Sequence, residues 1–216
     1  MSSEDGALRL GPSGSEAKVI CVFVHGRGQS PGEMQSHVVA RLSAPSVTFI
    51  LPRGAWWDAR AVDPLTPVAR AQLSDALDHL AAVVAAARAT APKQPILLAG
   101  FPQGACLAIE YLCAGLPPPD AVVALTGCRV GVPADGRSAS APAGTPVYLS
   151  GGDADPWIPL SAFADAAQSL GARGVKLRAD LFPGRAHKFS DAEIGMLDAI
   201  LADLAAGRPP AMGADR

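Results

Sequence analysis

The chain has 216 residues, of which 49% are hydrophobic, and this excludes an intrinsically disordered protein and favours one domain with a single core. Its 18 basic and 20 acidic residues nearly balance, so the chain lacks the basic excess that is typical of nucleic-acid-binding proteins. No run of about 18 apolar residues is present, and we therefore expect no membrane-spanning helix.

Six short apolar runs, most of them continuous rather than alternating, are typical of strands that are buried on both faces of a sheet. They are Lys18–Val24, Val47–Leu51, Pro95–Phe101, Ala121–Thr126, Pro146–Ser150 and Val175–Phe182. The amphipathic segments predict helices at Pro67–Thr90, Gln103–Ala114, Leu160–Leu170 and Ser190–Ala206. This alternation predicts an α/β fold with a mostly parallel central sheet and helices on both faces.

The two ends of the chain differ in composition from its middle. Residues 1–17 and 207–216 are rich in Gly, Ser, Pro and Ala, which predicts flexible tails around a domain that spans residues 18–206. The N-terminal segment is polar and lacks the apolar stretch of a secretory signal peptide. The four cysteines form no C-x-x-C pair, which favours buried free thiols in a cytoplasmic protein.

The residues that follow the predicted strands are the first candidates for a site, because ligands of open α/β sheets bind beyond the carboxyl ends of the strands. The first strand is followed by His25-Gly26-Arg27-Gly28. Glycines on both sides of one residue allow a tight turn whose N–H groups can hold an anion or an oxyanion. A purely structural strand-to-helix turn explains the same residues, and both interpretations remain open from the sequence alone.

The third predicted strand leads into Gly100-Phe101-Pro102-Gln103-Gly104 and then into a helix. A strand, two glycines around a central residue, and a helix make up the layout of a nucleophile elbow. In such an elbow the central residue is Ser, Cys or Asp, whereas here it is Pro102, which carries no nucleophile.

An acid and a histidine follow this turn in chain order. Asp155 lies just beyond the fifth predicted strand, and His187 lies beyond the sixth. Nucleophile, acid and histidine occur in this order in α/β-hydrolases, where the carboxylate orients the imidazole for acyl transfer. No His, Asp and Glu cluster has the spacing of metal ligands, so we expect neither a metal nor a cofactor.

Together these segments resemble the phospholipase/carboxylesterase family of α/β-hydrolases, which includes small bacterial esterases and acyl-protein thioesterases. The resemblance covers about Val19 to Leu204 and rests on the following stretches: His25–Gly28, Leu51–Pro52, Trp56–Asp58, Ala99–Gly104, Asp153–Pro159 and Gly184–His187. It implies the α/β-hydrolase fold and a site for a small acyl ester or thioester.

The resemblance also implies roles for single residues. Position 102 corresponds to the nucleophile, Asp155 to the acid of the triad and His187 to its base. The backbone N–H groups of Arg27 and Gln103 correspond to the oxyanion hole.

Aromatic and basic residues near the same loops suggest the walls of an acyl-binding pocket. Trp56, Trp57 and Trp157 are candidates for these walls, with ordinary loop packing as the alternative. Three arginines are candidates for the mouth of the pocket: Arg53, Arg60 and Arg129.

Pro102 is the one departure from the family pattern in these motifs. An elbow nucleophile has a positive φ, whereas proline is held near −65°, so we expect the apex to relax and the Gln103 N–H to shift. Three explanations remain open: a Ser→Pro change in an otherwise normal hydrolase, a natural pseudoenzyme, or a different chemistry that uses Asp155 and His187. We expect an esterase or thioesterase scaffold for short acyl esters that is inactive as written, and the alternative is a non-catalytic protein that binds a small apolar ligand or a protein partner.

Overall fold

A computed structural model describes residues 6–13 and 16–212 of the chain, and within them seven strands form one sheet. The strands are β1 (Leu8–Leu10), β2 (Val19–Val24), β3 (Val47–Leu51), β4 (Ile96–Gly100), β5 (Ala121–Ala124), β6 (Pro146–Gly152) and β7 (Lys176–Phe182). Their order across the sheet is β1-β3-β2-β4-β5-β6-β7. Every neighbouring pair is parallel except β1 with β3, which confirms the predicted mostly parallel α/β sheet.

The helices are α1 (Pro31–His37), α2 (Pro67–Thr90), α3 (Gly104–Cys113), α4 (Leu160–Gly171) and α5 (Asp191–Ala205). The sequence predicted the last four of these to within a residue at each end. The predicted capping box is present at the start of α5, where Ser190 and Glu193 satisfy each other's backbone N–H groups. The short helix α1 was not predicted from the sequence. It begins at a Ser30 cap with proline at its first position.

The helices cover both faces of the sheet because alternate strand residues point to opposite sides. On β2, Ile20, Val22 and Val24 pack in the cluster that contains α2, α3 and α4. Val19, Cys21 and Phe23 of the same strand pack in the second cluster, with α1 and α5. The continuous apolar run that predicted β2 is therefore explained by burial on two sides.

Residues that the sequence assigned to tails take part in the fold. Leu8–Leu10 forms an edge strand in which Leu8 pairs with Leu51, so regular structure begins before the predicted boundary at Lys18. Its three residues are too short a run to be recognised as a strand without the partner. At the other end, the Ala211 N–H donates to Asp203 at 3.0 Å and Met212 packs against the second cluster. The predicted tail residues 1–5, 14–15 and 213–216 lie outside the described residues.

The loops that follow β2, β4, β6 and β7 leave the sheet at the same edge, because these strands are parallel. Two glycines let β4 and α3 approach this edge closely. A Cβ atom on Gly100 would lie 2.5 Å from the carbonyl carbon of Gly104, and one on Gly104 would lie 2.1 Å from the Val24 carbonyl oxygen. None of the helices in the described part of the chain is both long and apolar enough to cross a membrane.

Gly104→Ala should therefore destabilise the protein by about 2 kcal/mol or more, because the added methyl group meets backbone that cannot move aside. The matched control is Gly195→Ala in α5, where nothing lies within 4 Å of the position that a Cβ atom would occupy and helix propensity favours alanine by about 0.8 kcal/mol. Urea unfolding followed by circular dichroism measures both changes. Equal stabilities of the two variants would contradict the close approach at Gly104.

Candidate functional site

Asp155 and His187 form a hydrogen-bonded pair at the carboxyl edge of the sheet. Asp155 follows β6 and His187 follows β7, and His187 Nδ1 lies 2.7 Å from Asp155 Oδ2. The other carboxylate oxygen accepts the N–H groups of Trp157 at 2.7 Å and Ile158 at 3.0 Å. Since a carboxylate only accepts, Nδ1 carries the proton and Nε2 of a neutral ring keeps its lone pair. The pair can thus present an oriented base.

The ring of His187 packs against an aromatic residue next to the elbow. The centroids of His187 and Phe101 are 5.0 Å apart, and Phe101 meets Phe189 edge-on at 5.3 Å. Phe101 directly precedes Pro102, so this contact holds the imidazole beside the apex of the elbow. The side chain of His187 is 22% exposed, which leaves it accessible to a ligand, while that of Asp155 is fully buried.

A buried polar network supports the loop that carries His187. Arg185 Nη1 donates to Thr126 Oγ1 at 2.8 Å, and Arg185 Nη2 lies 3.5 Å from Glu193 Oε1. The same carboxylate oxygen accepts a short hydrogen bond from Ser150 at the end of β6. Arg185 and Glu193 are both buried, so neither charge can be removed without leaving the other uncompensated. This network was not predicted from the sequence, although Arg185 lies within the Gly184–His187 stretch.

Proline occupies the apex of the elbow and fixes its φ. Among the described residues other than glycine, only Ser46 and Thr126 have a positive φ, so Pro102 lacks the conformation of an elbow nucleophile, as the sequence predicted. The carbonyl oxygen of Pro102 accepts the Arg27 N–H at 3.0 Å. This N–H is one of the two that the family resemblance assigned to an oxyanion hole, and here it already has an acceptor.

Gln103, the other residue assigned to the oxyanion hole, uses its side chain to connect the elbow with the loop after β3. Its Nε2 donates to the carbonyl oxygens of Trp57 at 2.8 Å and Ala59 at 3.3 Å. Gln103 itself is 6% exposed. The loops after β2, β3 and β4 are therefore held together around Pro102.

His187, Pro102 and Gln103 line one cavity of about 320 Å³. Its other lining residues are Arg27, Gln29, Ala59, Arg60, Ala61, Phe101, Trp157 and Ile158. Trp157 is about half exposed and forms part of the wall of this cavity. The cavity is thus built from the elbow, the loops after β2 and β3, and the two loops that hold the Asp155–His187 pair.

Trp56 and Trp57 do not line this cavity, contrary to the prediction. Both are 4% exposed and pack in the core cluster that contains α2, and the indole N–H of Trp56 donates to the His25 carbonyl at 3.0 Å. They border a neighbouring cavity of about 340 Å³ instead. The large apolar surface of each indole is buried more completely against α2 than it would be beside an open pocket.

Of the three arginines predicted at the mouth of the pocket, only one lines the cavity. Arg60 lines the cavity, whereas Arg129 is buried and forms a two-pronged ion pair with Glu110, at 2.7 and 3.0 Å. Arg53 is exposed and does not border the cavity. Arginine is favoured at a buried pair because its planar group matches both carboxylate oxygens, and this pairing cannot be recognised from the sequence.

The cysteines offer no replacement for the missing nucleophile. All four are free and buried, and Cys106 lies in α3 with its sulfur 3.7 Å from that of Cys128. The contact with Cys106 and burial together raise the pKa of Cys128, which disfavours the thiolate. Within residues 6–13 and 16–212, no three His, Cys, Asp or Glu side chains are grouped so that they could hold a metal.

Residues 10–204 match the sequence model of a family described as Phospholipase/Carboxylesterase. No curated protein sequence matches the chain. A solved phospholipase/carboxylesterase from Dyadobacter fermentans is 27% identical, with a TM-score of 0.80 over 90% of this chain and 95% of the other. Esterase PE8 is 24% identical and Zea mays acyl-protein thioesterase 2 is 18% identical. Each of these two has a TM-score of 0.71 over 92% of this chain and 98% of its own, and both show similarity of fold.

His25, in the loop after β2, is a second histidine at this edge of the sheet, and unlike His187 it is buried. It is 3% exposed, its Nδ1 lies 2.8 Å from the Gly26 carbonyl oxygen, and its ring lies 5.0 Å from that of Trp56. Burial lowers its pKa below the ordinary value of 6.5, and the backbone hydrogen bond to Gly26 partly opposes this effect. The neutral ring is therefore the form that the folded protein prefers.

This lowered pKa predicts a loss of stability in mild acid. Below about pH 6.5 the unfolded state binds a proton at His25 that the folded state resists, so the free energy of unfolding should fall as the pH drops from 7.5 to 5. His25→Asn should reduce this slope, while His37→Asn on α1 should retain the contribution of His25. Urea unfolding at several pH values measures the difference, and identical slopes for wild type and His25→Asn would contradict the assignment.

Proposed function

Because the chain belongs to the phospholipase/carboxylesterase family, we propose that it is a carboxylesterase- or thioesterase-type scaffold for short acyl esters in which Pro102 removes the nucleophile. One observation carries the proposal: the oriented His187–Asp155 pair faces the same cavity as an elbow apex that has no hydroxyl or thiol. A candidate base and the carboxylate that orients it lie at the cavity, and the atom on which the base would act is missing.

With a serine at position 102, the residues of this site have definite roles. His187 Nε2 would take the proton of the serine hydroxyl during attack on the acyl carbonyl and return it to the leaving group. Asp155 would hold the ring through Nδ1 and stabilise the imidazolium that forms. The backbone N–H groups of Gln103 and Arg27 would stabilise the oxyanion. Water would then release the acyl group by the same steps, without a metal or cofactor.

Two features of the native chain argue against turnover by this route. Pro102 has no nucleophilic atom, and the Arg27 N–H is hydrogen-bonded to the Pro102 carbonyl oxygen. The second feature means that a developing oxyanion would have to displace an existing hydrogen bond. Nucleophile and oxyanion stabilisation are therefore impaired together by one residue.

The size and lining of the cavity support a short acyl group. A volume of about 320 Å³ lies at the lower end of the range for small-molecule sites, about 300–1,000 Å³. Ala61, Phe101 and Ile158 supply apolar lining.

We infer a cytoplasmic location from the four free cysteines, since unpaired thiols are typical of reducing compartments.

The same observations favour a second function from another class. A cavity that stays open while the Arg27 N–H is occupied suits a non-catalytic protein that binds a small apolar ligand or a protein partner. The codon at position 102 in the source gene bears on the choice. A proline codon favours this second function, whereas a serine codon identifies Pro102 as a change introduced into a working hydrolase.

The native chain should hydrolyse p-nitrophenyl acetate and butyrate at a rate on the order of 10⁶-fold below that of a serine enzyme, because the nucleophile of a triad acts as a unit with its base. The measurement is release of p-nitrophenol by the purified protein, compared with the His187→Ala variant. A strong rate that His187→Ala leaves intact would contradict this site. A strong rate that His187→Ala abolishes would contradict inactivity and indicate direct attack by water.

Pro102→Ser should restore hydrolysis of short acyl esters, because it supplies the hydroxyl and frees φ so that the apex can adopt the strained conformation of an elbow. A fluorophosphonate probe should label the variant covalently. Pro102→Ala is the matched control, since it frees φ without a nucleophile and should stay unlabelled. The double variant Pro102→Ser/His187→Ala should also stay unlabelled. A well-folded Pro102→Ser protein with neither turnover nor labelling would contradict a recently lost hydrolase activity and favour the binding protein.

A further inference from the structure

The cavity beside His187 contains two guanidinium groups that have no carboxylate partner. Arg27 and Arg60 both line it, and neither lies within 4.0 Å of an Asp or Glu oxygen in the part of the chain that the structure describes. Asp155 is buried, and its oxygens accept from His187 Nδ1 and from the backbone N–H groups of Trp157 and Ile158. The two guanidinium groups therefore bring positive charge to the wall of the cavity, and in the described part of the chain neither is paired directly with an acid.

Both groups are held in place by neutral acceptors. Arg60 Nη2 donates to the Pro156 carbonyl oxygen at 3.1 Å, and its guanidinium lies 5.9 Å from the centre of the Trp157 ring. Arg27 Nη2 donates to the Asp58 carbonyl oxygen. A carbonyl fixes the direction of a guanidinium but leaves its full charge and its other donors for a ligand.

Acidic side chains are present nearby, but they face the neighbouring cavity. Asp58 and Asp75 line that second space with Gln72, whose Nε2 donates to Asp58 Oδ2 at 2.7 Å. Arg27 borders both cavities, whereas Arg60 borders only the one that holds His187. Of the two arginines, Arg60 is therefore the one that does not share a cavity with these carboxylates.

We propose that the cavity takes a short acyl compound that ends in a carboxylate, such as the monoester of a small dicarboxylic acid. The carboxylate is held by Arg60 with help from Arg27, and the ester carbonyl lies beside His187 and Pro102. This proposal rests on the proposed function, since it assigns the substrate class of the same site. Arg60 and Arg27 bind the ligand and take no part in bond making.

The volume of the cavity and the charge of its two arginines together favour a small ligand that carries a carboxylate. A cavity of about 320 Å³ accepts a compound of few carbon atoms, which buries too little apolar surface to bind firmly by that means alone. Charge-assisted hydrogen bonds from a planar guanidinium supply affinity and orientation to a ligand of that size. Inorganic phosphate offers similar chemistry, so it forms a separate arm of the test.

The test measures binding to the native chain by isothermal titration calorimetry with monoethyl succinate and with the uncharged diethyl succinate. We expect monoethyl succinate to bind about tenfold more tightly, and the difference should shrink between 50 mM and 500 mM NaCl as the charges are screened. Arg60→Gln should weaken the monoester about tenfold and leave the diester unchanged, with a smaller loss for Arg27→Gln. Arg88→Gln, on α2, is the control and should bind both as the native chain does.

Equal affinity for the two esters, no binding of either, or an unchanged monoester affinity in Arg60→Gln would each overturn the proposal. Tighter binding of inorganic phosphate than of monoethyl succinate would also overturn it and indicate a phosphate site. Because the native chain is used, the result does not depend on turnover. A Pro102→Ser variant that hydrolyses neutral and charged esters equally would leave the proposed function intact while the substrate class fails. If the native chain binds the monoester but the Pro102→Ser variant is inactive, the proposed ligand class stands and the proposed hydrolase function fails.

Discussion

The site depends on the close approach of α3 to the end of β2. The Val24 carbonyl oxygen lies 2.1 Å from the point that a Cβ atom of Gly104 would occupy, so only glycine permits this contact. The approach places the elbow against the loop after β2, where the Arg27 N–H meets the Pro102 carbonyl at 3.0 Å. Gln103 extends the same contact to the loop after β3 through its hydrogen bond to Trp57. The loops after β2, β3 and β4, which are distant in sequence, thus form one wall of the cavity because the backbones of α3 and β2 can touch.

Within that frame, a single residue decides the chemistry. The ring of Pro102 removes the nucleophile, and its fixed φ keeps the apex out of the strained conformation that an elbow requires. On the opposite side of the cavity the Asp155–His187 pair is intact. Asp155 accepts three hydrogen bonds, one of them from His187 at 2.7 Å. An oriented base therefore faces an apex on which it cannot act.

The arginines at this edge of the sheet differ in their partners according to how deeply they are buried. The buried Arg185 lies 3.5 Å from the carboxylate of Glu193 and donates to Thr126, and it supports the loop of His187. Arg129 is likewise buried and neutralised by Glu110. Arg60 and Arg27, at the cavity, are held only by carbonyl oxygens. Since an unpaired charge is tolerated only where water or a ligand can reach it, this contrast separates structural arginines from those available for binding.

The sequence by itself determined six of the seven described strands, four of the helices and the meeting of Asp155 with His187. Continuous apolar runs require burial on two faces, and parallel strands bring the residues after them to one edge. The fixed φ of Pro102 likewise follows from residue type alone. Only the tertiary structure decided the rest. Whether Trp56 and Trp57 line the cavity, which acceptor the Arg27 N–H finds and which arginines are neutralised all depend on contacts between distant segments, and local spacing carries no information about which surfaces pack together.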